Sequence, residues 1–80
     1  MYKLTLDVCF TEHETVADAI AELTAHTPLT ATVETAHGPG GGWPVVRFEA
    51  DDRAWFGVLA ERYSGGDAED VAYQLSLVEG

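Results

Sequence analysis

Apolar and polar residues alternate without a break from Tyr2 to Phe10. Tyr2, Leu4, Leu6, Val8 and Phe10 point one way; Lys3, Thr5, Asp7 and Cys9 point the other. A period of two predicts a β-strand with one buried face. The pattern then changes. Thr11-Glu12-His13-Glu14 has the Ser/Thr-x-x-Glu form of a capping box. Val16, Ile20 and Leu23 follow at i, i+4, i+7, the apolar stripe of a helix. Ala17, Ala19, Ala21 and Ala25 suit its interior. His26 falls in its last turn, and Thr27-Pro28 ends it, because the residue before proline disfavours the α region.

Alternation returns from Leu29 to Ala36 and again from Trp43 to Ala50, predicting two further strands. His37-Gly38-Pro39-Gly40-Gly41-Gly42 between them reads as the loop of a hairpin. Asp51 or Asp52 is placed to cap a second helix, whose stripe is Phe56, Leu59 and Tyr63 with Trp55 at its margin. Arg62 suits the end of that helix, and Gly65 the left-handed residue beyond it. Asp67 to Asp70 reads as an acidic loop. Val71, Tyr73, Leu75 and Leu77 then alternate with Ala72, Gln74 and Ser76, predicting a fourth strand over Val71–Val78, although 71, 75 and 78 also fit a helix. The order is β-α-β-β-α-β. With right-handed crossovers it predicts an α+β fold of ferredoxin-like topology: one four-stranded antiparallel sheet with both helices on one face. A topology of this kind does not fix a function.

Length agrees with one domain over residues 1–80, since a chain of 80 residues buries roughly 60% of its unfolded surface. No run of about 18 apolar residues predicts a membrane span. The opening on a strand predicts no signal peptide, and the single cysteine, Cys9, fits a reducing cytoplasm. Charge changes the picture more. Fourteen acidic residues stand against four basic ones, for a net charge of −10. Such acidity argues against nucleic acid or an anionic membrane as a direct partner. It agrees with solubility, with adaptation to salt, or with binding to a basic surface.

No constellation of residues specifies a reaction, a metal or a cofactor, and the expectation is a protein that is not an enzyme. Cys9-x3-His13, with His26 and His37, has the residue types of a metal site, but these fall on four separate elements, and no spacing unites them. Gly38 to Gly42 matches neither the dinucleotide fingerprint nor the phosphate loop, and it joins two strands rather than a strand to a helix. Ser64 and Ser76 have no base placed beside them by spacing. RNA-binding domains of this topology carry an aromatic motif on the sheet face, and Trp43-Pro44-Val45-Val46-Arg47-Phe48 does not match it.

Two surfaces remain as candidates. One is the open sheet face, predicted to hold Thr5, Asp7, Cys9, Thr30, Thr32, Trp43, Val45, Arg47, Ala72, Gln74, Ser76 and Val78. Trp43 and Val45 there suggest pairing with a second copy. The other is the helix layer. Glu14, Asp18 and Glu22 stand at i, i+4, i+8, one acidic row with carboxylates about 6 Å apart along the axis. That is close to the phosphate spacing of a nucleic-acid strand. Asp51, Asp52 and Glu61 join the layer in the predicted fold. The sequence therefore points to a small acidic module that binds a protein partner with a basic surface, in the manner of inhibitors or decoys of phages and mobile elements. The alternative is a small-molecule-binding or catalytic module that forms a homodimer through its sheet.

Overall fold

The computed structural model describes residues 1–8, 15–35 and 43–80. Its elements run β1 (Tyr2–Asp7), α1 (Val16–Thr24), β2 (Thr30–Thr35), β3 (Val45–Ala50), α2 (Ala54–Ser64) and α3 (Ala68–Ser76). The strands form an antiparallel sheet in the order β1-β3-β2. The fold is α+β, but it is not the predicted ferredoxin-like βαββαβ sandwich: among the described residues the sheet has three strands and the helices number three. The sixth element is where sequence and structure part, because Ala68–Ser76 is helical.

The alternation in β1 and β3 does what its period demands. Leu4, Leu6, Val46, Phe48 and Ala50 turn to one face and are buried, and the register sets Leu4 against Phe48 and Leu6 against Val46. Onto that face pack Ala19 of α1 and Phe56 and Leu59 of α2, with Val16, Ile20, Leu23, Trp55 and Tyr63 partly buried around them. Phe48, Phe56, Leu59 and Val46 are wholly shielded from solvent. Neighbouring apolar side chains of this size release water over most of their surface, the main favourable contribution to the fold.

The caps set the helix limits. α1 begins after Thr15, whose hydroxyl accepts from the Asp18 N–H at 3.2 Å. The capping box proposed over Thr11–Glu14 lies outside the described residues. The helix stops at Thr24, two residues before the predicted end, and His26 adopts φ 61° instead of completing a turn. Side chains take over the backbone's acceptors there: Thr24 Oγ1 donates to the Ile20 carbonyl at 2.8 Å and Thr27 Oγ1 to the Thr24 carbonyl at 2.7 Å. α2 is preceded by Asp52, whose carboxylate accepts from the Ala54 N–H at 2.9 Å. It ends at Gly65, φ 70°, a left-handed position suited to glycine.

α3 has a start signal in the stretch that reads as an acidic loop. Asp67 accepts from the N–H groups of Glu69 and Asp70 at 3.0 and 3.1 Å, and those two acids occupy the first turn, where the helix dipole favours them. Ala72, Gln74, Ser76 and Val78, placed by sequence on the open sheet face, lie on or beyond this helix instead. Leu75 and Val78 reach the core; Tyr73 and Leu77 remain exposed. After the helix the chain returns to β1, where Glu79 and Lys3 exchange backbone hydrogen bonds of 2.8 Å each way. A single bridge thus stands at the edge of β1 where a fourth strand was predicted.

Candidate functional site

The charged residues define the surface. No charged side chain among the described residues is buried. All four cations of the chain have partners within the fold. Lys3 faces Glu79 at 3.7 Å. Arg47 lies between Glu34 and Glu49, at 2.5 and 3.3 Å. Arg53 donates to the Leu75 carbonyl at 3.0 Å, tying the start of α2 to α3. Arg62 reaches from α2 to the last turn of α1, where Nη1 donates to the carbonyls of Leu23 and Ala25 at 3.1 and 2.7 Å and approaches that of Glu22 at 3.5 Å.

The Arg62 contact places a cation at the negative end of the α1 dipole and fills acceptors that the helix end leaves open. Charge-assisted bonds of this kind are worth about 1.5–3 kcal/mol when shielded, and less here because the group is exposed. Arg62→Ala should therefore cost about 1 kcal/mol in urea denaturation and raise amide exchange first at Leu23, Thr24 and Ala25. A loss confined to the α2 end would show that the contact does not hold α1.

The acidic residues group differently from the predicted row. Asp18 and Glu22 lie exposed on α1, four residues apart and so on one side of it; Glu14 lies outside the described residues. Glu61 is exposed on α2. Asp51 and Asp52 lie in the turn between β3 and α2, where Asp52 accepts from the Ala54 N–H. With Glu49 they rim a groove of about 230 Å³ whose apolar wall is Pro28, Ala50 and Trp55. Glu49 and Trp55 were not singled out from sequence as acting with the aspartates; their strand and helix positions gave no sign of a shared groove.

The open sheet face is more charged than its sequence suggested. Arg47 with Glu34 and Glu49 occupies it, alongside Lys3, Thr5 and Asp7 of β1. Val45 is half-buried opposite Asp7, and Trp43 is 42% exposed just before β3. Pairing two such faces would desolvate the ion pairs, a cost that their mutual attraction does not reliably recover.

Cys9, His13 and His37 lie outside the described residues, and His26 is exposed. Among the described residues no group of three His, Cys, Asp or Glu side chains is arranged to hold a metal ion, and no helix is long and apolar enough to cross a membrane. Comparison with protein-family models, with curated proteins and with solved structures finds no match for this chain.

Proposed function

We propose that this chain is a small acidic binding module whose partner is a protein with a basic surface, acting as an inhibitor or decoy in the cytoplasm without chemistry of its own. The observation that carries the reading is the engagement of every cation inside the fold. Lys3 and Arg47 are matched by carboxylates, while Arg53 and Arg62 hold backbone carbonyls. The outward field is therefore negative on the sheet face, at the groove of Asp51 and Asp52, along α1 at Asp18 and Glu22, and at the start of α3. A field of one sign steers an oppositely charged partner and suppresses encounters with polyanions.

The test is retention of proteins from a native lysate on the immobilised chain, at about 0.1 M and about 1 M NaCl, where the Debye length falls from about 10 to 3 Å. Basic proteins held at the lower salt and released at the higher are the expected result. Neutral or acidic proteins held equally at both would defeat the proposal. Thermal stability separates it from adaptation to a saline cytoplasm. Relief of self-repulsion should be largely complete by about 0.15 M NaCl, with a Debye length of about 8 Å. A melting temperature that keeps climbing beyond about 1 M would favour the saline reading.

A further inference from the structure

We propose that the outer edge of β2 is a docking edge, taking an extended lysine- or arginine-bearing segment of a protein partner as a fourth strand of the sheet; this rests on the basic-partner reading above.

Among the described residues β2 pairs with β3 alone. Alternate residues along an edge strand turn their N–H and C=O groups outward, where a second extended chain can bond them. Sheet edges are ordinarily blunted with lysine, proline or inward charge. Thr30, Ala31, Thr32 and Val33 have none of these, and their pairing with Glu49, Phe48, Arg47 and Val46 is regular. The register shift comes only between Val33 and Thr35, at the far end. There Glu34 turns its carboxylate to Arg47.

The inner side of β2 is incompletely covered as well. Val33 lies opposite Val46, which is fully buried, yet Val33 is 44% exposed. The helices thus shield β1 and β3 but leave β2 at the margin. A strand laid beside it would gain backbone hydrogen bonds and cover Val33 together.

Charge selects the occupant. The regular stretch of β2 is uncharged, but both its ends are acidic. Glu34 stands at one end, sharing Arg47 with Glu49 so that the three side chains together carry a net charge of −1. At the other, Thr30 lines the groove rimmed by Glu49, Asp51 and Asp52, with Trp55 in its wall. A cationic side chain at the end of an added strand would meet carboxylates and an aromatic ring there. A second copy of this chain would instead bring a further net charge of −10 to the complex.

The probe is a peptide of alternating lysine and threonine, matched in length to β2, beside a version N-methylated at every backbone amide, which keeps each charge but removes the strand's donors. Binding is followed by amide chemical shifts. The unmethylated peptide is expected to shift Thr30, Thr32 and Val33 and to bind at least about tenfold more tightly than the methylated one. Thr32→Lys should abolish that preference. Ala72→Lys, an equal change of net charge on α3, should alter affinity by less than about twofold. Equal binding of the two peptides, or shifts confined to α1 and α2, would overturn the docking edge and leave the basic-partner reading standing. No binding of either peptide would count against both. Sedimentation of the free protein as a dimer that Thr32→Lys dissolves would assign the edge to a second copy and overturn the proposal.

Discussion

Replacing Phe48 by alanine should remove about 3–5 kcal/mol of the protein's stability. Phe48 sits in the central strand, fully buried, between Leu4 on β1 and Ala31 on β2. It belongs to the same core as Phe56 and Leu59 of α2. Removing a buried phenylalanine costs about 3–5 kcal/mol, combining lost transfer energy with the cavity left behind. At roughly 0.05–0.15 kcal/mol per residue, a domain of 80 residues holds about 4–12 kcal/mol in total. The substitution therefore removes a large share of it. Thr5→Ala provides the contrast. Thr5 lies in β1 directly beside Leu4 but on the open face, exposed, and its loss should stay within about 0.5 kcal/mol. Urea denaturation of the two variants measures the difference between the sheet's faces. Comparable losses would mean that the open face is covered in solution.

That difference between faces was legible in the sequence because it is local. Leu4, Leu6 and Val8 follow one another at period two, and a strand has only two faces on which to sort them. Phe56 and Leu59 were likewise placed by helical spacing, and Gly65 by the need for a left-handed residue. The last element was not legible in the same way. Val71, Tyr73, Leu75 and Leu77 alternate, but Val71, Leu75 and Val78 also fall on one side of a helix. What decided between them was the start. Asp67 holds two backbone N–H groups, Glu69 and Asp70 sit at the positive end of the dipole, and Ala68, Ala72, Gln74 and Leu75 are good helix formers. Alternation favours a strand and Asp67–Asp70 reads as a loop in the sequence, whereas in the structure the cap at Asp67 starts a helix.

The candidate site was legible only as composition. Net charge announced an acidic surface, yet its arrangement depends on where four cations go. Arg62 lies in the last turn of its own helix, where the sequence places it, but its guanidinium reaches the end of α1, across a contact separated by 37 residues of chain from Ala25. Asp51 and Asp52 stand at the start of α2, and the turn that carries them also opens beside Glu49 and Trp55. Such neighbours are brought together by tertiary packing and leave no period in the sequence. The open edge of β2 is another case. The single bridge at the end of the chain falls on β1, whereas the edge left open among the described residues is that of β2, on the opposite side of the sheet.

A proline in α3 should separate that helix from the rest of the fold. Ala72 lies in the interior of Ala68–Ser76, exposed, so Ala72→Pro disturbs the backbone without removing a core side chain. Proline within a helix costs about 3 kcal/mol through a lost hydrogen bond and a clash with the preceding turn. The loss the whole protein shows is limited by how firmly α3 is docked, because the helix can unfold locally instead. None of its residues is fully buried; it packs along α2 through partly buried side chains such as Leu75, and the chain around it adds Val78, the Arg53 contact and the Glu79 bridge to Lys3. We therefore expect Ala72→Pro to expose the amides of residues 71–77 to rapid exchange while those of Leu4, Leu6, Val46 and Phe48 stay protected. Far-UV circular dichroism should lose the α3 contribution alone. If protection instead collapses together in β1, β3 and α3, then α3 is part of one cooperative unit. The three-stranded sheet with α1 and α2 would then be too small a core to stand without it.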